Sequence, residues 1–127
     1  MPIYGFVAVG VGAALGAWLR WGFGEWLNPR FPTLPMGTLA ANLLGGYLVG
    51  VAVAYFGEHA GLPSEARLFI ITGFLGGLTT FSTFSAESVG LLSRGQYGWA
   101  VAHISAHLAG SIVMTILGLL TIKWLKS

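Results

Sequence analysis

The sequence predicts an all-α integral membrane protein with four transmembrane helices in a single domain, residues 1–127. Only 8% of its residues are charged, where a soluble domain has roughly 25%, and 55% are hydrophobic. Four stretches lack any charge, and each is long enough for one spanning helix but too short for two. Glycine is also frequent, with 20 among 127 residues. A chain with so few charges cannot solvate the surface of a soluble domain.

Composition also excludes several functional classes. The chain contains no cysteine, so disulfide frameworks, iron–sulfur centres and thiol nucleophiles are ruled out. A net charge of +2 without a basic cluster does not indicate a nucleic-acid partner. Serine and histidine are present, but the sequence has no aspartate and no Gly-x-Ser-x-Gly motif. We therefore expect no enzymatic activity.

The helices follow from the charge-free stretches and the polar connectors between them. Turn-forming residues separate the first two stretches at 28–32, a polar segment follows at 57–65, and a short link occurs at 94–96. The first stretch has no basic leader and no small-residue cleavage pattern, so we predict a retained helix. The predicted helices lie near residues 3–26, 36–57, 66–92 and 97–123.

The positive charges of the connectors do not favour one orientation. Four spans place three basic residues on each side of the membrane. This balance has two interpretations: a weak topology signal, or dual topology in which copies insert both ways and pair antiparallel. The sequence alone leaves both open.

Small residues recur at a spacing that lets helices approach closely. Gly12 and Gly16, Gly46 and Gly50, and Gly73 and Gly77 each form a Gly-x-x-x-Gly pair. Adjacent Gly76 and Gly77, followed by two threonines, predict poor helix continuity in the third span. Such a break could bind a small cation through backbone carbonyls, and a glycine-lined packing notch is the alternative.

Polar residues inside the spans are the candidate functional residues. They supply neutral donors in place of a chain of carboxylates, which suits an anion path better than a cation path. His103 and His107, four residues apart, could ligate a metal, but the sequence shows no obvious third ligand. The polar candidates are Thr38 and Asn42; Ser82, Thr83 and Glu87; and His103, His107 and Ser111, with Phe81 and Phe84 beside them.

These motifs resemble those of a known family. The string GFLGGLTTFSTFS at 73–85 closely resembles the signature of the Fluc fluoride channel family, also called CrcB. Residues 12–20 and 37–45 match the first two helices of that family, and the resemblance extends over all four spans. It implies a passive, fluoride-selective channel of the bacterial inner membrane, built as an antiparallel dual-topology homodimer with two pores.

The resemblance also implies roles for individual residues. Asn42, Phe81 and Phe84 correspond to the pore-facing asparagine and phenylalanines, and Arg20 to an arginine near the aqueous vestibule. Backbone carbonyls of Gly76 and Thr79 from both subunits would ligate a structural sodium ion. A polar track beside the phenylalanines would use Thr38, Ser82, Thr83 and Ser111, and Glu87 matches the glutamate of the third helix. The family often has tyrosine and serine where this chain has His103 and His107, which we expect to act as neutral donors.

Two alternatives come from other classes. Transporters of the small multidrug-resistance type are also four-helix, dual-topology dimers, but they need a carboxylate in the middle of the first helix. Here the first acidic residue is Glu25, at the end of that span. An assembly subunit without transport activity would need neither the helix break nor the polar residues.

Overall fold

The computed structural model describes residues 3–127, and four of its helices are long and apolar enough to cross a membrane. No β-strand occurs between residues 3 and 127. The predicted all-α class with four spans is therefore confirmed. The bounds are α1 Ile3–Leu27, a 3₁₀ turn Asn28–Arg30, α2 Met36–Glu58, a third span Ser64–Ser93, and α6 Tyr97–Lys126. Each span begins and ends within three residues of its predicted position.

The third span consists of several segments. It begins as α3 (Ser64–Arg67), widens into a π-helix (Leu68–Leu75), and narrows again in α4 (Gly76–Leu78) before α5 (Phe81–Ser93). Between α4 and α5, Thr79 and Thr80 have extended backbones, with φ/ψ of −90°/154° and −149°/121°. The π-helix has no counterpart in the sequence prediction, because its residues have the pattern of an ordinary apolar helix.

A glycine makes the tight link between α5 and α6 possible. Gly95 has φ of +73°, a left-handed conformation that other residues adopt only with strain. The amides of Gly95 and Gln96 donate to the carbonyls of Leu92 and Leu91, at 3.0 and 2.9 Å. This Schellman arrangement satisfies the last carbonyls of α5 and directs the chain into α6.

Helix packing depends on the spaced glycines. A methyl group added to Gly16 would overlap the Phe74 carbonyl, and one on Gly50 would overlap the Thr115 carbonyl. The other glycines of the three predicted pairs also face the backbone of a neighbouring helix; they are Gly12, Gly46, Gly73 and Gly77. Thus α1 packs closely on the third span, and α2 packs closely on α6. The prediction that these glycines allow close approach is confirmed.

Candidate functional site

The side chain of Asn42, on α2, fills the gap between α4 and α5. Its Oδ1 accepts a hydrogen bond from the Thr80 amide at 2.8 Å, and its Nδ2 donates to the Thr80 carbonyl at 3.1 Å. One amide side chain therefore satisfies both backbone groups of the residue at the interruption. An unpaired peptide group in a membrane protein is costly, so this contact stabilises the extended conformation.

The interruption also frees backbone carbonyls from their usual helical donors. In a continuous helix the Thr80 amide would bond to the Gly76 carbonyl, but here it bonds to Asn42. The Thr83 amide, which would bond to the Thr79 carbonyl, instead donates to Thr80 Oγ1 at 3.1 Å and caps α5. The carbonyls of Gly76 and Thr79 are oxygen ligands of the kind that sodium or another hard cation takes.

Arg20 contacts the same region from α1. Its Nε donates to the carbonyl of Gly77 at 3.0 Å, and its side chain is only partly exposed. The carbonyl of Gly77, like that of Thr80, is thus satisfied by a side chain instead of by the helix. The remaining guanidinium donors of Arg20 can point into the cleft that Arg20 lines together with Thr38 and Glu87.

A connected series of polar groups extends from Asn42 to α6 and back to α2. Asn42 Nδ2 lies 3.0 Å from His107 Nδ1, and the rings of His107 and His103 are 4.4 Å apart between centroids. His103 Nε2 lies 3.3 Å from Oε1 of Glu87, whose other oxygen accepts from Thr38 Oγ1 at 2.6 Å. His103 and His107 are 1% and 3% exposed, so both imidazoles are held inside the protein.

The two phenylalanines have different environments. Their rings meet edge to face with centroids 5.5 Å apart, but Phe81 is 73% exposed whereas Phe84 is 7% exposed. Phe84 stacks on His107 with centroids 4.6 Å apart and lies beside His103 at 5.5 Å. Phe84 therefore belongs to the buried polar region, while Phe81 is part of the outer surface.

Two clefts meet at Thr80. The inner cleft, about 420 Å³, opens on the surface of the subunit and brings together seven of the predicted residues: Asn42, Gly76, Thr79, Phe81, Phe84, His107 and Ser111. The outer cleft, about 360 Å³, lies on the other side and includes Arg20, Thr38, Thr83 and Glu87. Thr80 lines both, so the Asn42–Thr80 contact separates them.

The chain is similar in sequence to a known protein family and to several named bacterial proteins. The family model described as "CrcB-like protein, Camphor Resistance (CrcB)" matches residues 7–119. A protein of Nitrosospira multiformis is 69% identical over 125 residues, covering 98% of both chains. Proteins of Cupriavidus taiwanensis and Thiobacillus denitrificans are 65% and 61% identical, each over 95% of this chain and at least 96% of the relative.

The chain belongs to the CrcB family. All three of these relatives are named "Fluoride-specific ion channel FluC". The segment that matches the CrcB model contains every residue predicted as part of the site, from Arg20 to Ser111. The resemblance found in the sequence is thereby confirmed.

The structure of this CrcB protein also contains site residues that the sequence prediction did not identify or place. Thr80 was not among the predicted site residues, although a threonine three positions before Thr83 is a recognisable helix cap. Glu87, predicted as a polar residue of the third span together with Ser82 and Thr83, also lies beside His103, and it offers a candidate third ligand atom near the two histidines. Ser82 lies apart from the clefts described above and bonds to Thr80 Oγ1 at 3.3 Å. The functional roles of all these residues remain predictions.

Proposed function

We propose that this chain forms a passive, fluoride-selective channel that exports cytoplasmic fluoride across the bacterial inner membrane. The observation that carries the proposal is the name shared by relatives that are 61–69% identical over almost the whole chain. The site supports the same function, because most of the polar groups along the two clefts are neutral donors, with aromatic edges beside them and with Arg20 and Glu87 in the outer cleft.

The chemistry of the clefts suits an anion that must bind and then leave. Hydroxyl, amide and imidazole groups donate hydrogen bonds without the lasting attraction of a fixed positive charge. Ring edges of Phe81 and Phe84 carry positive potential and can also face an anion. In this proposal Arg20 attracts fluoride into the outer cleft, and Thr38, Thr83, Asn42 and Ser111 provide donors along the way.

The membrane potential supplies the driving force. Fluoride enters the cell from acidic surroundings as uncharged HF and becomes the anion in the less acidic interior. An inside-negative potential favours exit by roughly 2.3 kcal/mol per charge for each 100 mV. A channel therefore suffices, and the sequence contains no phosphate-binding motif of an ATP-driven pump.

We further propose that two copies pair antiparallel, with one pore on each side of the dimer. The even division of basic residues allows a copy to insert in either direction. The inner cleft opens on the surface beside exposed Phe81 and Ile112, so a second copy packed there would enclose it. Because the four helices of one subunit pack this tightly, we expect the pore to form at the interface between two subunits.

In the proposed dimer, a structural sodium ion would lie between the two copies. The Gly76 and Thr79 carbonyls have lost their helical donors, and Gly76 itself is exposed on the surface. Two-fold pairing there would present four backbone oxygens, an appropriate ligand type for a hard cation. The broken third span would then position both the ion site and the phenylalanines of α5.

Cross-linking tests this arrangement, because the chain has no native cysteine. We expect Gly76→Cys to form a disulfide-linked dimer under mild oxidation in membranes. A side chain at Gly76 meets no neighbouring atom closer than 3.8 Å, so the subunit should fold. Gly57→Cys is the matched control; it also has open space but lies at the end of α2, so antiparallel copies would place it on opposite membrane faces. Cross-linking of Gly57→Cys but not Gly76→Cys would contradict both the antiparallel pairing and the shared ion site.

Efflux from proteoliposomes tests the channel itself. We expect purified protein to release fluoride, but not chloride, down its gradient when valinomycin and potassium balance the charge, without any proton gradient. A fluoride electrode measures the rate against protein-free liposomes. Proton exchange coupled to a cationic drug, with no fluoride release, would favour the multidrug-resistance type of transporter. If the protein showed neither fluoride release nor drug-coupled proton exchange, the result would favour an assembly subunit.

A further inference from the structure

Three buried polar atoms at the junction of α5 and α6 lack a hydrogen bond. They are Glu87 Oε1, His103 Nε2 and His107 Nε2; none makes a hydrogen bond of good geometry within residues 3–127, although Glu87 Oε1 and His103 Nε2 lie 3.3 Å apart. One candidate ligand atom from each of these three residues lies within 4.8 Å of those of the other two. Buried polar atoms are rarely left unpaired, so three of them together indicate a missing ligand.

We propose that Glu87, His103 and His107 form a binding site for a divalent transition metal such as Zn²⁺, and that occupancy inhibits ion conduction. Imidazole and carboxylate are ligands that Zn²⁺ prefers, and three protein ligands with one open position are a common set. Zn²⁺ bonds of about 2.0–2.2 Å in a tetrahedron place neighbouring ligand atoms about 3.4 Å apart. The distance from Glu87 Oε1 to His103 Nε2 is already 3.3 Å.

The site has a route to water. His103 lies six residues from the start of α6, which is about 9 Å along the helix. Glu87 lines the outer cleft and also a second opening of about 390 Å³ beside Arg94. His107 lines the inner cleft on the other side. A cation can therefore approach from the end of the span without crossing the packed core.

The hydrogen bonds of Asn42 connect this site to the ion path. The Thr80 amide can only donate, so Oδ1 of Asn42 faces it and Nδ2 faces His107. His107 Nδ1 must then accept, which places the proton of the neutral ring on Nε2. When a metal occupies Nε2, the proton of the neutral ring must be on Nδ1 instead. Nδ1 is then a donor that faces the Nδ2 donor of Asn42. Metal occupancy therefore breaks the Asn42–His107 contact and disturbs the residue that holds Thr80.

The first test measures metal binding to the full-length protein in detergent, by equilibrium dialysis with Zn²⁺ and by the visible spectrum of Co²⁺. We expect one metal per chain and no binding of Mg²⁺, which prefers oxygen ligands. His103→Gln, His107→Asn and Glu87→Gln should each weaken binding by about 100-fold or more, since even the partners of metal ligands contribute 10–100-fold. His107→Asn retains an acceptor for Asn42, and Glu87→Gln retains the shape of the side chain.

Controls distinguish this site from incidental binding. His59 is the remaining histidine of the sequence and lies exposed on the loop after α2, so His59→Ala should bind as the wild type does. Asn42→Ala removes the Nδ2 donor that would face the Nδ1 proton of metal-bound His107. This variant should therefore bind Zn²⁺ about tenfold more tightly than the wild type. Equal affinity in the wild type and in all three ligand variants would overturn the metal site, as would loss of binding in His59→Ala alone.

The second test measures inhibition, which rests on the proposed channel function. Micromolar Zn²⁺ should slow fluoride efflux from proteoliposomes carrying the wild type, whereas the rate of His103→Gln should not change relative to its own metal-free rate. Binding without inhibition would overturn the regulatory role and leave the site intact. If metal-free protein released no fluoride, the channel proposal would fail, and the dialysis result would still decide the metal site.

Discussion

Replacing Asn42 with alanine should reduce fluoride efflux by about 100-fold per folded protein. The substitution leaves the amide and the carbonyl of Thr80 without their partners, and each buried unpaired group costs about 1–3 kcal/mol. It also removes the donor to His107. Because Thr80 lines both clefts, its displacement changes the place where they meet. Efflux is measured with a fluoride electrode and normalised to reconstituted protein.

Tyr47→Phe is the matched control for this experiment. Tyr47 also lies on α2 and also bonds to a neighbouring span, since its hydroxyl is 2.8 Å from Thr121 Oγ1. Its loss should cost about 1 kcal/mol of stability and leave efflux within about twofold of the wild type. Asn42→Ala efflux equal to that of Tyr47→Phe would mean that Asn42 has no role beyond ordinary helix packing.

Gly16→Ala should destabilise the folded subunit by about 3 kcal/mol or more, at the upper end of the costs of overpacking. The added methyl group would overlap the Phe74 carbonyl and lie 2.7 Å from the Leu78 amide nitrogen. Both atoms are backbone, so no side-chain movement relieves the overlap, and α1 must separate from the third span. Thermal unfolding in detergent, followed by monodispersity on size exclusion, measures the effect.

The same helix provides the control. Gly10 and Gly22 also lie on α1, but a methyl group at either position meets no atom within 4 Å. Gly10→Ala and Gly22→Ala should therefore be neutral or more stable by about 0.5–1 kcal/mol, since alanine favours helix over glycine. If all three variants unfolded at the same temperature, close packing at Gly16 would not be a source of stability.

Much of the fold could be predicted because a few local signals determine it. Charge-free stretches located each span, and the glycine spacing identified which faces approach closely, as at Gly12 and Gly50. Adjacent glycines and threonines indicated a discontinuity near Gly76. These features depend only on neighbouring residues, so one sequence is sufficient to read them.

Long-range partners could not be predicted in the same way. The spacing of Thr38 and Asn42 places both on one face of α2, but it does not say that they bond to Glu87 and Thr80, which lie 49 and 38 residues away. The association of Glu87 with the two histidines depends likewise on how α5 packs against α6. The π-helix at Leu68–Leu75 has no sequence marker at all, because the same residues fit a regular helix equally well.

The interrupted span is attached to two different helices, and this has a mechanical consequence. Gly77, just before the interruption, is held by Arg20 of α1, while Thr80 is held by Asn42 of α2. A helix adjusts to a thinner or thicker bilayer by tilting. Any change that tilts α1 and α2 by different amounts therefore acts across the two extended residues between these attachments. A bilayer thickness that tilted α1 and α2 unequally would therefore act at the point where the two clefts meet.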